Sequence, residues 1–346
     1  MNLFDFNPNG VGVDNGSYFG LPSTVEESKL VLISAPWDVS VSYGAGTAYA
    51  PDAIIEASTQ LDLYDSSAPE AWREGIATAD IDYSIAELSQ SLRSDAKKII
   101  DHLEDGGLVT DDYVSRKLKR VNEGSQRLNN NIYSQSRDLL GQQKLVGLVG
   151  GDHSTPYGLI KALGESYEEF GILHIDAHCD LRNAYEGFEY SHASIMYNVL
   201  RDVPAVKRIV EVGVRDFCDE ELELATSSER VTMFDDMSMA RAKFEGLTWR
   251  EQCRKIVDAL PQKVYVSFDI DGLSMDNCPN TGTPVCGGLS FNEAVYLLEM
   301  VVGSGRTIVG FDVVEVTPNA KARIDAIVGA RVLYKLCGVT ILSNKK

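Results

Sequence analysis

The sequence predicts a three-layer α/β/α sandwich on a mostly parallel central sheet, and three observations carry that expectation. Short apolar runs rich in Val and Ile recur along the chain, helical patterns separate most of them, and one interval near residues 85–140 holds helices alone. The runs are KLVLISAP (29–36), KLVGLVG (144–150), FGILHID (170–176), RIVEVGV (208–214), KVYVSFD (263–269) and TIVGFDVVEV (307–316). They lack polar alternation, as expected of strands covered by helices on both faces. Helices are expected at 154–164, 191–201, 248–259, 292–302 and 320–336. Strand–helix alternation of this kind closes through right-handed crossovers.

The interval without strands reads as a helical pair. Leu88, Leu92, Ala96, Ile99 and Leu103 recur at spacings of three and four, which puts them on one helical face. Val114, Leu118, Val121, Leu128 and Ile132 make a second stripe, with Gly124 a local weakness. Two helices packed on the side of the domain are the ordinary expectation, and a surface for subunit contacts is the sharper one. No repeat, low-complexity linker or boundary divides the chain, so one domain over 1–346 is expected, with a helical insertion at about 85–140.

Charge narrows the partners. The 346 residues carry 32 Lys+Arg against 51 Asp+Glu, a formal charge of −19. Binding nucleic acid or an anionic membrane takes a surplus of cations that this chain lacks. Charged residues at 24% and hydrophobic residues at 44% are ordinary globular usage, so the acidity does not mark a disordered tail. No stretch approaches the roughly 18 uncharged apolar residues of a membrane span. The start MNLFDFNPNG lacks the basic and apolar regions of a signal peptide. The six cysteines form no CxxC pair. A cytoplasmic protein with reduced thiols, no disulfide and no structural zinc is expected.

The chemistry is concentrated at strand ends. KLVGLVG leads into His153; FGILHI leads into Asp176, His178 and Asp180; KVYVSF leads into Asp269 and Asp271. In an open α/β sheet the crevice lies beyond the carboxyl ends of the strands, where residues distant in sequence converge. Two imidazoles and four carboxylates without a thiolate suit Mn(II), Fe(II), Co(II), Ni(II) or Zn(II) rather than a structural zinc site. Four carboxylates exceed what one ion needs, and two divalent cations would balance them in a buried crevice. Such ions would also acidify a shared water to hydroxide near neutral pH. A single strand-end Asp is more often a cap or a turn former, but three such ends together resist that explanation. His174 shares the pleat side of Asp176 and is expected deeper in the core, His102 is expected at the surface or in packing, and Cys179 is expected to turn away from the ligands.

GGDHS, DAHCD and SFDIDGLSMDNCPNTGTPVCGGLS, with SYGAG (42–46), APDAI (50–54) and EVTP (315–318), resemble the ureohydrolases: arginase, agmatinase, guanidinobutyrase and their relatives. The resemblance covers most of the chain and is weakest over 85–140. It implies an arginase-like fold, hydrolysis of a guanidino group to urea and an amine, and two divalent ions, Mn(II) foremost with Ni(II) as the alternative. It implies further that His153, Asp176, Asp180 and Asp269 hold one ion and Asp176, His178, Asp269 and Asp271 the other. Glu315 matches the acid that pairs with the guanidinium, a planar cation suited to a two-oxygen partner. His192 matches the histidine that passes protons to the leaving amine, and Asp180 would accept a hydrogen bond from the attacking hydroxide. A homo-oligomer, trimer or hexamer, is implied as well.

Substrate choice turns on Arg182 and Asn183, the positions where arginase-like enzymes grip the amino-acid end of their substrate. Arg182 replaces the Asn found there in arginases, which disfavours arginine. An Arg182 pointing inwards would repel a free ammonium, and DLR is reminiscent of formimidoylglutamase, a group that lacks a histidine at the place of His192. The alternative turns Arg182 outwards to pair with Glu186 or Glu189. The expected substrate is a small cationic guanidino compound, agmatine first. Guanidine, a guanidino acid or formimidoylglutamate are the alternatives within the family. A non-catalytic metal-binding regulatory subunit is the alternative of another class.

Overall fold

The central sheet runs through the whole chain. Its strands are β1 (Leu30–Ala35), β2 (Ile76–Thr78), β3 (Leu145–Gly150), β4 (Phe170–Ile175), β5 (Val206–Val212), β6 (Val231–Phe234), β7 (Lys263–Asp269) and β8 (Thr307–Val314). They lie in the order β2-β1-β3-β8-β7-β4-β5-β6, every neighbouring pair parallel. The computed structural model describes residues 3–319, 321 and 323–345. Each of the six apolar runs holds a strand. The two strands absent from the sequence expectation, β2 and β6, are the short edges of the sheet.

Helices α1 (Ala50–Ser58), α2 (Tyr83–Glu104), α3 (Asp112–Gly141), α4 (Tyr157–Ser166), α5 (Ile195–Asp202), α6 (Asp219–Ser227), α7 (Asp236–Phe244), α8 (Trp249–Ala259), α9 (Phe291–Gly303) and α10 (Ile324–Ser343) complete the layers. One core joins Leu32, Val149, Leu173, Val266 and Val313 of the sheet to Ile54, Val257, Leu298 and Leu333 of α1, α8, α9 and α10. On the other face Ile33, Leu148, Ile172 and Ile209 meet Leu92, Val121, Leu159 and Val199 of α2, α3, α4 and α5. Alternate residues of one strand thus enter opposite cores, which is why the runs carry no polar positions.

Helix starts follow capping chemistry. Thr248 with Glu251 and Ser290 with Glu293 form reciprocal capping boxes at α8 and α9. The expected start of α4 at Ser154 is too early. The Asp152 carboxylate accepts from the Ser154 N–H at 3.0 Å and holds residues 152–154 in a turn. In the same way α5 begins at Ile195, because Ser191 caps a short 3-10 turn, His192–Ser194, ahead of it. The expected start of the last helix at Ala320 lies outside the described residues, and α10 runs on to Ser343.

Two expectations are corrected here. First, α10 is long and apolar enough to cross a membrane, with mean hydropathy 1.5, although the sequence reading found no such segment. In the fold 67% of that window is buried, against α1, α9 and β8. Second, Gly124 is no weakness. A side chain there would strike Leu92 Cδ1 at 2.1 Å, so the glycine is what lets α2 seat Leu92 against α3. The insertion itself is a helical hairpin, its turn tied by His102 Nε2 to Asp111 at 2.7 Å.

Gly158 of α4 plays the same part more severely, since an added Cβ would lie 2.5 Å from the Asn129 carbonyl oxygen and 2.7 Å from the Tyr133 nitrogen of α3. Ala in a helix interior normally gains up to about 1 kcal/mol over Gly. Overpacking against backbone reverses the sign, so Gly158→Ala should destabilise the protein by about 1–3 kcal/mol, read as a lowered midpoint in denaturant unfolding. An unchanged or raised midpoint would refute this contact.

Candidate active site

Four adjacent strands, β3, β8, β7 and β4, deliver the chemistry at their carboxyl ends. The turn after β3 carries His153, the residue after β8 is Glu315, β7 ends in Asp269 with Asp271 following, and β4 is followed by Asp176, His178 and Asp180. Residues from 153 to 315 therefore meet along one sheet edge, at the place expected of an open α/β sheet.

Their atoms converge on two points. His153 Nδ1 lies 2.9 Å from Asp176 Oδ2, 3.1 Å from Asp180 Oδ2 and 3.2 Å from Asp269 Oδ2. His178 Nδ1 lies 3.4 Å from Asp176 Oδ1 and 3.3 Å from Asp271 Oδ2. Asp176 faces both histidines, one oxygen to each. His153 Nδ1, Asp180 Oδ2 and Asp271 Oδ2 are buried without a hydrogen-bond partner. Such close approach without hydrogen-bond alignment, in a buried cluster, fits ligand atoms gathered round a cation. Ligands about 2.1 Å from one ion and at right angles stand about 3.0 Å apart, which matches the first group. The donor set of imidazole and carboxylate suits two divalent ions.

Electrostatics describes the same crowding. Burial alone would push the Asp176 carboxyl up, but His174, His153 and His178 outweigh it and hold the group well below the usual carboxylate range. Asp269 is pushed well above that range by burial and by Asp271 and Asp176 beside it. Burial would lower the imidazole of His153, yet the carboxylates of Asp176, Asp180 and Asp269 raise it well above its ordinary value. Like charges in one desolvated site cannot all ionise without a countercharge. Backbone strain accompanies them, because Asp180 (φ 54°) and Glu315 (φ 60°) are both non-glycine residues in the left-handed region.

Beneath the cluster lies a row of polar residues in register across four strands: Glu211 of β5, His174 of β4, Ser267 of β7 and Asp312 of β8. All four are fully buried. His153 Nε2 is 2.8 Å from Ser267 Oγ, which leaves Nδ1 to face the cluster. His174 Nε2 is 2.9 Å from Asp176 Oδ2. His174 is fully buried, as expected, and is in addition a direct partner of Asp176. Sequence reasoning passed over Ser267 although it stands two before Asp269, as His174 stands two before Asp176, on the same side of the pleat.

A cavity of about 160 Å³ opens on this centre, lined among others by Ser42, His178, Asp180, Arg182, Tyr185, His192, Asp216 and Glu221. His192 accordingly faces the cavity. Its N–H donates to Ser40 Oγ at 3.0 Å, and Nδ1 lies 3.4 Å from the same oxygen. Burial, with the charges of His178 and His153 nearby, lowers its imidazole to about 3. Arg182 also lines the cavity and does not turn outwards to Glu186 or Glu189. Its Nε lies 3.4 Å from Glu221 Oε2, and its guanidinium stacks 4.7 Å over the Tyr185 ring. Glu221 is buried, although the segment 216–236 reads as solvated surface in the sequence. Asn183 is exposed and does not line the cavity. Glu315 is buried beside the cluster, outside the residues that line this cavity, and its Oε1 accepts from the His153 N–H at 2.9 Å.

Comparison with known proteins agrees with this layout. The model of the arginase family matches residues 28–338. The N(1)-aminopropylagmatine ureohydrolase of Thermus thermophilus is 31% identical over 319 residues, 91% of each chain. The agmatinase of Bacillus cereus is 29% identical over 294 residues, 85% of each chain. Among solved structures, a hypothetical agmatinase of Burkholderia thailandensis shares the fold, with a TM-score of 0.70 at 24% identity over 97% of this chain and 92% of that one. The chain belongs to the arginase family, in its agmatinase-like branch, and is a ureohydrolase that cleaves a C–N bond of a guanidino group.

Proposed function

We propose that this enzyme hydrolyses agmatine to urea and putrescine, and accepts the longer N(1)-aminopropylagmatine named for its relatives. The observation that carries the reading is the charge of the cavity. Asp216 and Glu221 line it beside the candidate ligand Asp180, and the guanidinium among its described lining residues, Arg182, is already engaged by Glu221 and Tyr185. A cationic tail is therefore drawn in rather than repelled, whereas the acidic tail of formimidoylglutamate or a guanidino acid meets carboxylates. A regulatory subunit would have no use for a cavity that opens on the ligand cluster. The whole chain acts as one catalytic domain, in the cytoplasm as its six unpaired cysteines suggest, and as a homo-oligomer as the resemblance implies.

His153, Asp176, Asp180 and Asp269 would hold one Mn(II), and Asp176, His178, Asp269 and Asp271 the other. Bound there, the pair would supply an acidified water and stabilise the charge on the attacking oxygen as it bonds to the guanidinium carbon. Glu315 holds the planar guanidinium from the inner side of the site. His192, which faces the cavity, takes up a proton released on attack and delivers it to the departing amine. Cleavage of the C–N bond leaves urea and the protonated amine.

Urea release from the Mn(II)-loaded enzyme should be fastest with agmatine in a panel with arginine, guanidinobutyrate and guanidine, and formimidoylglutamate should yield no formamide. Turnover of an acidic member alone would overturn the substrate reading. Glu315→Gln and His192→Asn should keep two metal ions per chain by elemental analysis, with kcat down about 100-fold or more. His178→Ala and Asp269→Ala should lose metal and activity together. Ser267→Ala, which frees His153 Nε2, should weaken metal retention against a chelator by about 10- to 100-fold.

A further inference from the structure

The α2–α3 hairpin touches both segments that wall the cavity. On one side, Ser89 Oγ of α2 accepts from the Asp38 N–H at 3.2 Å, and Arg93 Nη1 donates to the Val39 carbonyl at 3.1 Å. Asp38 Oδ2 in turn accepts from the Gly46 N–H at 2.8 Å, which closes the loop 38–46 that bears Ser40 and Ser42. On the other side, Asn122 of α3 brackets the segment 187–189. Its Nδ2 donates to the Gly187 carbonyl at 3.3 Å, and its Oδ1 accepts from the Glu189 N–H at 3.0 Å. Gln126 Oε1 accepts from the Tyr190 hydroxyl at 3.0 Å. This segment leads from Tyr185 to His192, and the two segments meet where the His192 N–H donates to Ser40 Oγ. Arg93 lies electrostatically between them, with the carboxylates of Asp38 and Glu186 among its charged neighbours.

We propose that the hairpin is the positioning element of the substrate cavity, with Arg93 and Asn122 as positioning residues that hold the 38–46 and 185–192 segments at the spacing the substrate requires. Neither residue lines the 160 Å³ cavity or belongs to the metal cluster. Their influence passes through the backbone groups they hold, and a displacement of order 1 Å at a substrate-positioning wall suffices to cost about 100-fold in rate. The proposal rests on the reading of this cavity as the ureohydrolase site.

The test uses the Mn(II)-loaded full chain and the variants Arg93→Ala, Arg93→Lys and Asn122→Ala, with two independent readouts. In steady-state kinetics on agmatine, Arg93→Ala and Asn122→Ala should lower kcat/KM by about 10- to 100-fold, chiefly through KM, with metal content unchanged, and Arg93→Lys should recover part of the loss. In hydrogen–deuterium exchange, Asn122→Ala should speed exchange in 185–192, and Arg93→Ala in both 38–46 and 185–192, while β4 stays as slow as in the parent protein. Unchanged kinetics with unchanged exchange overturns the proposal. So does faster exchange spread evenly over β4, which marks general destabilisation. If the parent enzyme releases no urea from any guanidino compound, the substrate reading falls, and the exchange measurement still decides whether the hairpin holds these segments.

Discussion

Four aspartates brought to one buried sheet edge set the terms for everything around them. Their mutual repulsion in a desolvated crevice is tolerable only with countercharge, which protons on His153, His174 and His178 supply in the metal-free cluster and which bound ions would replace on the ligand histidines. Two divalent ions would balance all four carboxylates. The fold answers that demand by placing β8 between β3 and β7, so that ligands from separate crossovers are neighbours. The polar row from Glu211 to Asp312 answers it a second time, since a ligand histidine needs its far nitrogen fixed before its near one can face a cation.

The cavity carries a second electrostatic decision. An arginine at a position used for substrate recognition would suggest an anionic partner, if read alone. In the folded chain Glu221 arrives from the start of α6 and stands beside it, while Tyr185 takes its flat face. A charge-neutral pair in the wall leaves Asp216, a carboxylate outside the ligand cluster, to set the sign of the cavity. The net charge of −19 thus reaches the site through particular side chains.

Much of this was legible in the sequence, for a physical reason. Doubly covered strands need continuous apolar runs, so six strands announced themselves, and the candidate ligands stood directly after three of them. The edges β2 and β6 are three and four residues long and too short to signal. Glu221 stands among acidic residues that look like solvated surface, and only tertiary contact with Arg182 and with the Leu181 N–H distinguishes it. Gly124 reads as a helix defect because propensity is local, while the close approach to Leu92 comes from another helix. The hydropathy of α10 was underrated, because Asp325, Arg331 and Lys335 interrupt its apolar sequence without preventing its burial as a core helix.

The position of β8 has a consequence for how the molecule comes into being. This strand, the last of the described strands in sequence, sits in the middle of the sheet, joined to β3 on one side and β7 on the other. Until it inserts, the part of the sheet bearing His153 has no hydrogen-bonded link to the part bearing the aspartates. The carboxylate–histidine cluster therefore depends on pairings between segments far apart along the chain, the kind that are slow to find one another. Ions bound there would join side chains from both halves of the sheet across this seam.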